Sequence, residues 1–190
     1  MTAVVTGSNN TAVGYTALSA NTSASNNTAV GYNALVVNST GASNTALGGE
    51  SLKSNTTASF NTGIGRFALY LNTTGTRNTA VGYESGKAIT TGAYNTFIGD
   101  RAGTSTTTAL NNTAVGSGAY IVATTGADNV AIGQSAMVQT TTGARNVAVG
   151  YQAANDLTTG SNNTVVGRFA LRSNETSGSN TVVGQSAGYS

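Results

Sequence analysis

The sequence predicts an all-β fold, a parallel β-solenoid of about eleven 17-residue coils. Three observations lead there. An asparagine recurs at Asn10, Asn27, Asn44, Asn61, Asn78, Asn95, Asn112, Asn129, Asn146, Asn163 and Asn180, always 17 residues apart. A glycine follows each one four residues later, from Gly14 to Gly184. Between them stands a short β-branched run such as Thr-Ala-Val, too short for a helix and punctuated by turn residues. Eleven copies without an insertion make residues 1–190 one array, with a partial coil at 1–9. Stacking them at the usual inter-strand spacing gives a rod of roughly 50 Å.

Numbering the slots from the asparagine gives each position a role. Slot 1 is Asn throughout and predicts an amide ladder, since side chains held in register bond to the coils above and below. Slots 2 to 4 read as a strand. Slot 4 is always aliphatic (Val13, Val30, Leu47, Ile64, Val81, Ile98, Val115, Ile132, Val149, Val166 and Val183), and slot 2 is Thr except for Val130 and Val147. Alternation then places slots 2 and 4 on one face, expected to point inward as the core ladder. Slot 5 is glycine, where the chain bends through positive φ or approaches another backbone too closely for a Cβ.

Slot 8 is Ala or Ser and slot 9 begins as Leu18, Leu35, Leu52 and Leu69, which predicts a second short strand. Thr-Thr-Gly at slots 13 to 15, as in Thr73, Thr74 and Gly75, predicts the second turn, its hydroxyls bonding nearby backbone. Coils with Leu at slot 9 carry Asn21, Asn38, Asn55, Asn72 or Asn174 at slot 12. Where slot 9 shrinks to Gly86 or Ala154, slot 12 becomes Ile89 or Leu157, so both slots are expected to fill one cavity. The small residues of slot 8 and of slot 3 (Ala12, Ala29, Ala46, Gly63, Ala80) fit two readings: close approach between chains, or a coil with no room inside.

Residues 17 apart become neighbours, so Glu84 is expected beside Arg101, Asp128 beside Arg145, and Arg77 between Phe60 and Tyr94. Such exposed pairs are worth about 0 to 1 kcal/mol. Slot 6 varies from Tyr15, Tyr32, Tyr83 and Tyr151 to Gly, Arg, Asp, Ser and Gln, which marks an outward face, one that touches glycans or simply meets solvent.

Composition narrows function. The chain has no Cys, His, Pro or Trp, and its eight basic and six acidic residues are scattered, for a net charge of +2. Common nucleophile pairs are therefore missing, and the acids Glu50, Glu84, Asp100, Asp128, Asp156 and Glu175 form no matched carboxylate pair. The expectation is a protein that is not an enzyme, without catalytic residues, metal or cofactor. Without a basic stripe no nucleic-acid groove is expected. No apolar run approaches the roughly 20 residues of a bilayer span, so no membrane insertion is expected.

With the coil laid out, NTAVGY at 10–15, 27–32 and 78–83 resembles two groups. TAVG is similar to the repeated core of trimeric autotransporter adhesin heads, left-handed β-rolls of three chains, though that family uses 14 residues per repeat. NTAVGYNALVVNSTGAS at 27–43 more closely resembles repeats of bacteriophage tail-fibre proteins. The resemblance implies a left-handed solenoid and a homotrimeric rigid shaft in a virion tail fibre or another extracellular appendage. It implies an adhesin head that binds a cell-surface glycan or protein as the alternative. A self-assembling filament is a third reading, because Met1 falls at slot 9 and Ser190 at slot 11, inside a coil at both ends. Ice binding through threonine columns at slots 13 and 14 is a fourth; it would need threonines two slots apart, and slots 12 and 16 are not rich in them.

Overall fold

The computed structural model describes residues 6–188, so Met1 and Ser190, on which the reading of the ends rests, lie outside the described residues. The fold is all-β, a parallel β-solenoid with no helix among the described residues. Its strands are β1 (Thr11–Val13), β2 (Thr28–Val30), β3 (Thr45–Leu47), β4 (Thr62–Ile64), β5 (Thr79–Val81), β6 (Thr96–Ile98), β7 (Thr113–Val115), β8 (Val130–Ile132), β9 (Val147–Val149), β10 (Thr164–Val166) and β11 (Thr181–Val183). They form one 11-stranded parallel sheet in chain order, each residue paired with the one 17 later, as Thr28 with Thr45.

Only slots 2 to 4 are strand. The second strand expected around slots 8 and 9 is instead a succession of β-turns, closed by slot 8, 10 and 12 amides donating three residues back: Ala17 to Gly14, Ser19 to Thr16 and Asn21 to Leu18. Slots 7 and 9 take left-handed φ there, 53° at Thr16 and 52° at Leu18. Strand geometry is thereby excluded. The coils remain cross-linked around the turn side, where Leu18 N–H donates to the Ala34 carbonyl at 3.0 Å and Asn33 N–H to that of Tyr15 at 3.0 Å.

The glycine of slot 5 is fixed twice over. Its φ is 125° to 140°, and a Cβ on Gly82 would stand 2.3 Å from the Gly99 carbonyl oxygen. No side chain fits.

The strand is turned over relative to the expected face. Slot 3 points into the coil, with Ala29, Ala46, Ala80, Phe97, Ala114 and Val165 buried. The slot-4 residues Val13, Val30, Leu47, Ile64, Val81, Ile98, Val115, Ile132, Val149, Val166 and Val183 point outward and are half-buried or exposed, Val13 and Val183 at 57% and 68%. Slot 2, Val130 and Val147 included, lies on the same outer side. The period-2 alternation holds and its phase is shifted by one residue. The reason is volume: slot 3 meets the turn residues of slots 8 and 9, as a Cβ on Gly63 would meet Ser51, Ala68 and Leu52, and in most coils it holds no more than a methyl group. Small residues at slots 3 and 8 are thus interior, and chain-to-chain approach is not their cause.

The interior is filled jointly by slots 3, 9 and 12. Leu18, Leu35, Leu52 and Leu69 are buried beside Asn21, Asn38, Asn55 and Asn72, while Ile89 and Leu157 are buried where slot 9 is Gly86 or Ala154. Phe97 shows that slot 3 belongs to the same volume. A Cβ on Gly103 would stand 2.6 Å from its ring, and one on Gly86, a coil below, 3.1 Å. One phenyl ring occupies room that two leucines take elsewhere.

Tyr120 replaces a Leu–Asn pair alone. Its ring fills slot 9 opposite Ala123, and its hydroxyl donates to the Gly126 carbonyl at 3.1 Å, which the slot-12 asparagine does in other coils, as Asn38 Nδ2 to the Gly41 carbonyl at 2.9 Å. That hydroxyl also accepts from Asn129 Nδ2 at 2.7 Å. Burial pushes the phenol far above its ordinary value, against the smaller lowering by Asn129.

Phe97→Ala is expected to cost about 3 to 5 kcal/mol in urea unfolding, and Gly103→Leu to destabilise by roughly 1 to 3 kcal/mol through overpacking. Leucine is accepted at this backbone, since Gly103 has φ 62° and the slot-9 leucines 49° to 52°. The double variant should therefore recover part of the loss, and strictly additive single effects would contradict the shared volume. For Tyr120 the folded state holds its proton where the unfolded chain loses it, near pH 10, so this group's contribution is complete below that and falls as pH rises further. Melting temperatures of Tyr120→Phe are expected to be lower at pH 7, by the equivalent of about 1 kcal/mol, and to fall less steeply above pH 10. Identical alkaline slopes in the two proteins would contradict this.

Candidate functional site

No cleft or cavity opens among the described residues, and no three His, Cys, Asp or Glu side chains come together there. The candidate functional features are consequently surfaces, set by which slots the solenoid turns outward.

The broadest is the outer side of the sheet. Thr at slot 2 and Val, Leu or Ile at slot 4 run side by side along eleven strands in register. Every charged residue of the chain lies elsewhere: Arg66, Asp100 and Arg168 at slot 6; Glu50, Glu84 and Arg101 at slot 7; Lys53, Lys87 and Arg172 at slot 10; Asp156 at slot 11; Glu175 at slot 13; Arg77, Asp128 and Arg145 at slot 17. The face is an uncharged strip of hydroxyl and aliphatic columns, and Val13, Leu47, Ile98, Ile132, Val166 and Val183 on it are among the most exposed large apolar side chains. Sequence patterning missed it because aliphatic side chains were assigned to the core; the signal was Phe97, whose size at slot 3 matches the neighbouring Gly86 and Gly103.

Behind the strip, slot-1 asparagines knit the coils together. Asn27 Oδ1 accepts the Asn44 backbone N–H at 2.9 Å, and its Nδ2 crosses the coil to the Gly41 carbonyl at 2.9 Å. The same pattern runs from Asn10 to Asn180. The asparagines are buried from Asn27 to Asn163, which assigns them to the framework. A second ladder, absent from the sequence reading, links slot 12: Asn55 Nδ2 donates to Asn38 Oδ1 at 2.8 Å and Asn72 Nδ2 to Asn55 Oδ1 at 2.9 Å. It runs from Asn38 to Asn72 only: Asn72 Oδ1, followed by Ile89, is buried without a partner, and so is Asn21 Oδ1, since Asn38 Nδ2 is given to the Gly41 carbonyl alone. Slot-13 hydroxyls are likewise used internally, as Thr73 Oγ1 to the Thr90 carbonyl at 3.0 Å, whereas slot-14 threonines such as Thr74 and Thr91 stand exposed.

The charged edge departs from the expected pairs. Arg77 does sit between Phe60 and Tyr94, its Cζ 5.2 and 5.4 Å from the ring centroids, and donates to the Tyr94 hydroxyl at 2.9 Å. Glu84 is not bonded to Arg101: its carboxylate takes Lys87 at 2.7 Å within one turn, and Arg101 takes Asp100 at 3.2 Å. Glu50 and Lys53 repeat the slot-7 to slot-10 pair at 2.7 Å. The Lys87 hydrogen bond is the main cause holding Glu84 below the usual carboxylate value, with Arg101 a minor contributor. Asp128 and Arg145 do not pair either; Asp128 accepts from Asn111 at 3.1 Å and Arg145 donates to Asn162 at 2.9 Å. Exposed ion pairs gain so little that nearby amides compete on equal terms.

At slot 6, Tyr15 and Tyr32 stack with centroids 5.8 Å apart and planes 9° from parallel. Further along this edge lie two groups built on the same run, Gly-Arg-Phe-Ala-Leu at 65–69 and 167–171. In each, the arginine Cζ stands 4.4 Å from the following phenylalanine ring.

Compared with protein-family models, curated proteins and solved structures, the chain matches none of them.

Proposed function

We propose that this chain is a rigid shaft segment of a tail-fibre-like extracellular appendage, built from parallel copies that meet through the outer side of the sheet. One observation carries the reading: an uncharged Thr and aliphatic strip follows all eleven strands, while every charge is kept off it. An exposed apolar strip that long is costly on a solitary protein and ordinary at an interface. The regular 17-residue register lets a second copy repeat the same contact at every level, and the resemblance to tail-fibre repeats makes three copies the expected number.

A second reading rests on the same strip. Slots 2 and 4 are two residues apart, so the hydroxyl and methyl columns stand about 7 Å apart across the sheet and about 4.8 Å along it, the two-column array that slots 13 and 14 cannot offer. Such an array is suited to ordering water at an ice surface. The two readings exclude one another, because a strip covered by another copy is closed to ice.

Light scattering after size exclusion is expected to give close to three times the 18.8 kDa of one chain. Ile98→Glu with Ile132→Glu should reduce that to one chain with its β-sheet circular dichroism intact, since both side chains point outward. A wild-type mass of one chain overturns the shaft reading. Shaping of ice crystals by that monomer, abolished by Thr113→Lys, is then the outcome expected of the second.

A further inference from the structure

We propose that the group formed by Tyr151, Arg168, Phe169 and Arg172 is a subsite for an acidic saccharide, a sugar bearing a carboxylate. It lies on the turn edge at slots 6, 7 and 10, away from the strip of slots 2 and 4, so it holds for one copy or for several.

The Phe169 ring is its centre. Arg168 Cζ lies 4.4 Å and Arg172 Cζ 5.2 Å from the ring centroid, and Arg168 is 5.7 Å from that of Tyr151. Tyr151 meets Phe169 edge to face, with centroids 5.2 Å apart at 71°. The backbone fixes this arrangement, since Phe169 takes φ 58° and its N–H bonds the Tyr151 carbonyl at 2.9 Å. Neither guanidinium makes an ion pair among the described residues, although Asp156 and Glu175 lie on neighbouring turns. Stacking leaves the guanidinium N–H edges free while orienting them, which suits bidentate capture of a carboxylate.

The related group at Arg66, Phe67 and Tyr70 is an internal contrast. It has the same arginine over the same ring, with different edge-to-face partners: Tyr70 at slot 10 of its own coil, centroids 5.4 Å apart, and Tyr83 in the next coil at 6.2 Å. Here, however, the flanking cations Lys53 and Lys87 are already bonded to Glu50 and Glu84. Only Arg66 is left to meet an anion.

A saccharide fits better than a nucleic acid. The slot-6 and slot-7 positions around the group are Gln134, Gln152 and Gln185 with Ser135 and Ser186, uncharged amides and hydroxyls suited to sugar hydroxyls. A phosphate backbone asks instead for a run of cations, and the group around Phe169 supplies two. The Phe169 and Tyr151 rings offer the apolar surface that the C–H face of a sugar ring covers.

The test is titration calorimetry of the full chain with a galacturonic-acid hexamer and with its fully methyl-esterified form, which keeps the sugar and removes the charge. The acid form is expected to bind, the ester roughly tenfold more weakly. Arg168→Gln with Arg172→Gln should lose about tenfold in affinity for the acid form with an unchanged melting temperature, and Arg66→Gln less than about twofold. Phe169→Leu should lose several-fold while both guanidiniums remain. The proposal is overturned by absence of binding, by equal binding of the ester, or by an unaltered affinity in the double arginine variant. It is equally overturned if inorganic polyphosphate binds as tightly and loses as much, because the patch then reads charge alone.

Discussion

The interaction on which the rest depends is the slot-1 asparagine. Each amide oxygen takes the next asparagine's backbone N–H, and each amide nitrogen crosses the coil to a slot-15 carbonyl. A single buried side chain therefore sets both the rise between coils and the width within one. Such a bridge works only if the next asparagine arrives in the same place, and a buried amide left unpaired costs about 1 to 3 kcal/mol. An inserted residue would orphan two groups in each coil it touched. The unbroken 17-residue period of the sequence is the consequence.

The same width explains what the interior accepts. Each coil must fill one narrow volume with slots 3, 9 and 12, and the solutions include Leu with Asn, Gly with Ile, Ala154 with Leu157, Met137 with Thr140, Phe97 with Gly103, and Tyr120 alone. Polar closure is maintained alongside volume, since the Tyr120 hydroxyl reaches the carbonyl that an asparagine amide reaches elsewhere. Where Ile89 follows Asn72 the volume is kept and the hydrogen bond is not, which leaves the orphaned Asn72 Oδ1. Packing ranks above one amide bond at that step.

Much of this was legible in the sequence. The period, the bend at glycine and the common cavity of slots 9 and 12 followed from residues alone, because each is a local requirement repeated eleven times. The direction of the strand was not. In a thick core the larger aliphatic of an alternating strand goes inside; here slot 3 faces turn backbone at close range, so Ala29 goes in and Val30 out. Hydrophobicity was a misleading guide because capacity, not apolar character, decides. The expected second strand failed for a related reason: three stacked β-turns with left-handed residues such as Leu35 and Met137 cover the far side in less width than extended backbone would. Charge pairing across coils was mostly illegible, since Glu84 has a lysine three residues away and Asp128 an amide in the coil below it.

Each strand touches only the strands before and after it, so the stability of an isolated stack is a sum of nearest-neighbour terms. In such a stack a weak step, the one at Asn72 and Ile89 for instance, can open without help from coils further away. The lateral association proposed through slots 2 and 4 would change that, because a coil that opened in one copy would also have to break contacts with its neighbour. In the proposed assembly the strip would give a one-dimensional array the coupling between distant coils that a rigid rod requires, with residues the interior has no room for. Aliphatic side chains on the outer side of a flat coil are, on this view, the part of the core that lies between chains.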